Sequence, residues 1–245
     1  MANVKKKLKW FGRYVWEIFK ASLPSLFMYL CAGLIMFMLM SKSNEEGTEF
    51  KIVWKTSTKI WTIVCVVAAV AYNALISWAH GGSHYEQLVS GNVKRSTEDA
   101  YGNPYKMSSH KEAKEYRVWK GFVFGAITAA LSIAAGIVFG CNQAKIDADG
   151  LNAPTMVFTL LSGWSVLPFF AMNTAGTSIS YFVTIAFAAI PVVVSGVFYI
   201  IGAYARRNKT IRQQQIADKA SKEAANKEKK INYGGLPGTK PKKRK

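Results

Sequence analysis

Apolar and polar positions along this 245-residue chain are gathered into blocks instead of being interleaved. Three apolar runs cover residues 21–40, 60–78 and 121–141, and a longer one covers 150–205. A hydrocarbon core about 30 Å thick takes about 20 apolar residues per helical crossing, so each of the first three runs predicts one spanning helix. The fourth has 56 residues without Asp, Glu, Lys, Arg or His, and Arg206 and Arg207 follow it at once. It is long enough to enter a membrane twice. The polar stretch 173–178 (NTAGTS) divides it into 154–172 and 179–205. The first run reads as an uncleaved span, because it is too long for a signal-peptide core and ends Phe37-Met38-Leu39-Met40 without a small-residue cleavage site.

Charge then bears on sidedness. The chain carries 32 Lys and Arg against 14 Asp and Glu, a net charge of +18, and 27 of the 32 basic residues lie in 1–20, 79–120 and 206–245. Basic residues flanking spans stay on the cytoplasmic side. That sets 1–20 and 79–120 inside, and 41–59 and 142–153 outside. The tail 206–245, with fourteen basic residues against three acids, is drawn inside as well. From outside at 153 to inside at 206 the chain must cross an odd number of times, so two full helices over the fourth run break the charge rule. Three resolutions are open. The segment 154–177 re-enters and returns; or both halves span and the tail is outside; or an earlier run does not span. Pro154, Gly163, Pro168 and Gly176, with Thr155, Thr159, Ser162, Ser165 and Asn173, favour the first. Broken, hydroxyl-rich backbone is tolerated at membrane depth only where protein or a watery cavity satisfies the freed groups. The expected fold is an all-α integral membrane protein with four transmembrane helices. To these are added 154–177, as a re-entrant or fifth broken helix, and a basic cytoplasmic tail. Thr159, Ser162, Gly163, Pro168 and Asn173 are the residues such a segment would offer to a substrate path.

Within the third run, Ala126, Ala130 and Ala134 recur every four residues and Gly136 and Gly140 form a G-x-x-x-G pair. Small residues at that spacing let helices approach closely. They are read as packing inside the bundle, with dimerisation as the alternative. Pro191 predicts a kink in the last span, and Ser195-Gly196 a second soft point. Asn73 predicts an interhelical hydrogen bond. Asp, Glu, Lys, Arg and His are missing from the runs, which argues against a proton-coupled pump or a voltage sensor. Cys31, Cys65 and Cys141 are odd in number and dispersed, so they read as small buried hydrophobes and not as a disulfide framework.

The polar segments are less specific. Residues 1–20 form a basic amphipathic pattern with Leu8, Phe11, Val15 and Ile18 on one helical face. That suits a helix in the headgroup plane, or an extension of the first span. The loop 79–120 holds His80, His84 and Glu86, with His110 further on. Histidines four apart on one helical face can bind a metal. Gly81-Gly82 intervenes, however, and no third ligand stands at a recognised spacing, so no metal or cofactor is expected and the helix is expected to end at the glycines. Residues 110–120 predict a charged helix running into the third span, with Tyr116 and Trp119 as interfacial anchors. The outer stretch 48–54 reads as extended. In the tail, 208–230 is rich in helix formers, 232–238 breaks any helix, and 239–245 is a basic end.

Lys5, Lys6, Lys7, Arg206, Arg207, Lys240, Lys242, Lys243, Arg244 and Lys245 suit anionic headgroups, at about 1 kcal/mol per basic residue near the surface. They equally suit the phosphates of RNA, including a membrane-docked ribosome. The sequence has no phosphate-binding glycine loop, zincin helix, serine elbow or intramembrane-protease pair. The expected function is a non-enzymatic subunit or scaffold whose basic cytoplasmic segments engage anionic lipid or a protein partner, including a second copy of itself. The alternative is a transporter or channel component with 154–177 lining a path. A weaker alternative is an insertase or assembly factor with a ribosome-docking tail. The expected setting is a cell membrane with both ends cytoplasmic; the basic 242–245 end also fits retrieval to an endoplasmic reticulum membrane.

Overall fold

An apolar run buried in lipid must satisfy its backbone within the chain, and a helix does so residue by residue. The computed structural model, which describes residues 2–43, 50–52, 54–89 and 113–232, is accordingly almost wholly helical. Its helices are α1 (Ala2–Met40), α2 (Thr56–Val89), α3 (Val118–Cys141), α4 (Gln143–Asp149), α5 (Ala153–Thr174), α6 (Thr184–Phe187) and α7 (Ala189–Asn232), with a 3-10 turn at Tyr181–Val183. Five described segments are long and apolar enough to cross a membrane: Lys7–Met40, Thr56–Val89, Val118–Cys141, Ala153–Thr174 and Tyr181–Asn226. Two short strands, β1 (Ser41–Ser43) and β2 (Phe50–Ile52), pair antiparallel with Lys42 opposite Lys51. The chain forms two units, Met1–Ala203 and Tyr204–Lys245. In the second, α7 runs on to Asn232 with residues 211–226 exposed.

Several expectations change. The basic residues 2–20 are not a separate helix, because α1 is continuous over 39 residues. At 1.5 Å per residue it is about 58 Å long, more than the roughly 30 Å that one crossing of a hydrocarbon core requires. Gly81-Gly82 does not end α2, which continues to Val89. The reason is packing: a Cβ at Gly81 would collide with the Tyr199 carbonyl oxygen, and one at Gly202 with the Trp78 carbonyl oxygen. The two glycines let α2 and α7 cross with backbones in contact. Residues 113–117 do not lead helically into α3, since Arg117 is extended (φ −145°, ψ 130°). Ala126 and Ala130 are exposed and Ala134 half-buried, so the alanine stripe is not the packing face. Gly121, Gly125, Gly136 and Gly140 make that face instead, against Tyr199, Pro191, Thr184 and Phe182 respectively. Cys141 is exposed, Cys31 half-buried and Cys65 buried, all three as free thiols. The last span is interrupted at Ala188, between α6 and α7, because Pro191 has no N–H for the Phe187 carbonyl. No break occurs at Ser195-Gly196.

The path of α5 decides the architecture of its unit. The helix starts at the Cys141 end of α3, where Asn152 Nδ2 donates to Asn142 Oδ1 (3.4 Å). At Ser162 the backbone leaves helical geometry (φ −141°, ψ 33°). There Ser162 Oγ lies 3.0 Å from Ser132 Oγ, halfway along α3. Beyond the break Val166 and Phe170 cluster with Phe139, Ile146 and Tyr181, so the second limb comes back to the end from which the first set out. Asn173 holds that return, donating to the Ile179 carbonyl and accepting from its N–H, both at 2.8 Å. Close approach to α1 is made by Gly33, where a Cβ would stand 2.9 Å from the Trp164 nitrogen, beside the Tyr29–Trp164 ring contact at 4.6 Å.

Asn73 ties α1, α2 and α7 together. Its Oδ1 accepts from Ser195 Oγ (2.9 Å), and its Nδ2 faces the Pro191 carbonyl (3.4 Å) and the Tyr29 hydroxyl (3.5 Å). Hydrogen bonds between helices in lipid are worth about 0.6 kcal/mol on average and up to about 1.7. Asn73→Leu is therefore expected to destabilise by about 1–2 kcal/mol, read as a lower thermal midpoint of the detergent-solubilised protein. An unchanged midpoint would mean that the network contributes nothing.

Candidate functional site

Two separate cavities lie toward opposite ends of α3. Phe124, Thr128, Ser132 and Phe139 lie along it, all buried. At the Phe124 end a cavity of about 350 Å³ opens between α1, α2 and residues 113–114. At the Phe139 end a second, of about 260 Å³, is lined by Ile146, Phe170, Asn173, Thr174 and 176–178. Several buried hydroxyls lie on α3 and α5. Ser162 Oγ pairs with Ser132 and also lies 3.2 Å from Ser165 Oγ, which donates to the Ser162 carbonyl at 3.0 Å. Thr159 donates to the Thr155 carbonyl (2.8 Å) and Thr155 Oγ1 to the Asn152 carbonyl (2.9 Å). The Thr128 hydroxyl is buried with no hydrogen-bond partner among the described residues. A lone buried hydroxyl costs free energy that a bonded one does not, so Thr128 marks a position where water or a polar solute would be stabilised.

Of the sequence candidates, Ser162 and Gly163 sit at the break, fully buried, with Thr159 buried one turn before it. Pro168 is half-buried on the second limb, and Asn173 lines the cavity at the Phe139 end. Lys5 and Lys7 are exposed on α1, and Arg206 (half-buried) and Arg207 (exposed) lie on α7. Nothing is described of the Lys6 side chain, and Lys240, Lys242, Lys243, Arg244, Lys245 and His110 lie outside the described residues. Thr128 and Ser132 escaped the sequence reading. In the sequence they are only two hydroxyls four apart on an apolar helix, in register with Phe124.

The Phe124 end is aromatic and basic. His80 and His84 stand one turn apart on α2 with ring centroids 5.9 Å apart, and both rings lie near Phe124. His84 Nδ1 is 2.9 Å from the Tyr199 hydroxyl, which holds the ring against α7. Lys120 is fully buried, donating to the carbonyls of Ala113 (3.0 Å) and Glu115 (2.7 Å), with its Nζ 5.6 Å from the Tyr14 ring centre. No group of three or more His, Cys, Asp or Glu among the described residues is arranged to hold a metal ion. The chemistry on offer is therefore hydrogen bonding from hydroxyls mid-bundle and cationic contact at one end. No known family model, curated protein or solved structure matches the chain.

Proposed function

We propose that this is a non-enzymatic component of a membrane transport or channel system, in which α5 is a re-entrant hairpin that closes a narrow polar passage against α3. One observation carries the reading: α5 breaks at Ser162, bonds there to Ser132 midway along α3, and has both ends beside the Cys141 end of α3. Four crossings and one re-entry follow, by α1, α2, α3 and the 181–203 stretch, with α5 entering and leaving on the outer side. With four crossings, the charge rule sets the cationic 1–20 and 206–245 segments both on the cytoplasmic side. A cell membrane is the setting that this orientation fits. The cavity at the Phe139 end is the outer vestibule, and Thr128, Ser132 and Ser162 are the constriction beneath it.

A second reading has its own support. Fourteen basic residues in 206–245 fit a subunit or scaffold held to anionic lipid or to a protein partner, without any passage. Ribosome docking by the same tail is a weaker variant.

Single cysteines separate the readings. In a chain with Cys31, Cys65 and Cys141 replaced by alanine, Ser132→Cys and Ser162→Cys are expected to react with a small hydrophilic thiosulfonate. Val157→Cys, on the exposed face of α5, should stay unreactive in lipid. If the two mid-bundle positions are as inert as Val157→Cys, the passage is disproved and the scaffold reading stands. A cytosol-dependent reporter after Lys245 tests the topology separately. Silence from it would leave the tail outside and α5 as a full crossing.

A further inference from the structure

We propose that the cavity at the Phe124 end is a binding site for the phosphodiester headgroup of an anionic membrane lipid. This goes beyond the passage reading and depends only on the helices lying in a membrane. The cavity's polar lining comes from three places in the chain: Glu17 and Lys20 on α1, His80, Ser83, His84 and Gln87 on α2, and Lys114. Its volume, about 350 Å³, lies in the range of about 300–1,000 Å³ that small-molecule sites occupy.

Depth identifies the ligand. Lys20 is the last charged residue before the 21–40 apolar run, and on α2 the 60–78 run ends just before His80. The cavity thus lies at the level where headgroups meet hydrocarbon. Exposed Trp16 adjoins it on α1, the aromatic type that settles at that level. Lys20 lies over the Trp16 ring, 5.6 Å from its centre. Basic pockets between helices on the cytoplasmic side are a recurring way to hold anionic headgroups.

The lining also fits the parts of such a headgroup. The ammonium groups of Lys20 and Lys114 suit a phosphodiester, and Ser83 and Gln87 add neutral polar groups. Glu17, 3.3 Å from Lys20, limits the net positive charge and offers an acceptor for headgroup hydroxyls. That mix favours a polyol phosphodiester over a bare phosphate. The floor is apolar, made by Ile18, Ala21 and Phe124, and suits the glycerol-ester end of a lipid. A soluble phosphate ester would share the ionic contacts and make no use of that floor.

The test uses the full chain in nanodiscs of phosphatidylcholine containing a minor fraction of phosphatidylglycerol, with retained lipid counted by native mass spectrometry after transfer to detergent. One phosphatidylglycerol is expected to stay bound in preference to phosphatidylcholine. Lys20→Gln with Lys114→Gln should lower its retention by about tenfold or more, and Lys55→Gln with Lys59→Gln, at the opposite end of α2, should leave it unchanged. Ser83→Trp, which fills the cavity and keeps both lysines, should abolish it. No preference for phosphatidylglycerol would overturn the proposal. So would equal loss in the Lys55/Lys59 pair, or retention in the Ser83 variant. Displacement by millimolar glycerol phosphate, without any retained lipid, would assign the site to a soluble ester and overturn the lipid assignment.

Discussion

Gly81→Val is expected to leave little folded protein. A side chain at Gly81 would meet the Tyr199 backbone, and the reciprocal contact of Gly202 with the Trp78 backbone fixes the same crossing from the other helix. Overpacking a core costs about 1–3 kcal/mol when side chains can rotate away. Here the obstructing atoms are a backbone carbonyl, which cannot rotate away, so α2 and α7 must separate. That separation would pull the Asn73–Ser195 bond apart as well. The expected loss is about 3 kcal/mol or more, a large part of a total stability of about 5–15 kcal/mol. Gly12→Ala is the matched control. A Cβ there meets nothing within 4 Å, and helix propensity alone predicts a gain of up to about 1 kcal/mol. Size-exclusion profiles and thermal midpoints in detergent read both. A Gly81→Val protein with the profile and midpoint of the wild type would mean that the helices do not cross in backbone contact.

Lys120→Met is the second large effect, and it is local. The Lys120 ammonium replaces the helical donors missing from the turn before α3, binding the Ala113 and Glu115 carbonyls. Methionine keeps the stem and removes the donors. Each buried carbonyl left unbonded costs about 1–3 kcal/mol. Part of that is offset because the variant no longer buries a charge. A net cost of about 2–3 kcal/mol is expected, concentrated on the 113–117 turn. Trypsin should then cut after Lys114 or Arg117 many times faster than in the wild type, with the thermal midpoint lowered. A cleavage rate equal to the wild type's would show that Lys120 does not hold the turn.

The apolar runs made five membrane-length helices legible, because length and hydropathy decide them locally. The charge parity and the Pro, Gly and hydroxyl content of 154–177 pointed to a broken helix, and the break stands at Ser162. What misled was glycine. Gly81-Gly82 read as a helix end because glycine is a good terminator in isolation. In the structure its value is a missing side chain where another backbone passes, and that partner, Tyr199, is more than a hundred residues away. The alanine stripe of α3 failed for the same reason, since periodicity shows that a small face exists and not which neighbour it meets. Of the site, Ser162 and Gly163 were legible from the broken segment itself. Thr128 and Ser132 were not, because two hydroxyls on an apolar helix acquire meaning only once Ser162 is seen opposite one of them. Lys120 looked like a boundary charge, and its burial depends on the turn folded over it.

The returning course of α5 has a consequence for biosynthesis. Of the five membrane-length segments it is the least apolar, and the largest share of it is buried against other helices. Such a segment gains little from lipid alone when it leaves the ribosome. Its partners at Gly33 and Ser132 are made earlier, on α1 and α3. The order of synthesis thus supplies the cradle before the hairpin, and α5 is expected to settle late, against neighbours already inserted. A chain stalled soon after residue 180 would therefore hold its first three spans firmly and its fourth apolar segment loosely. Chaperones and quality-control proteases would find their opening in that segment.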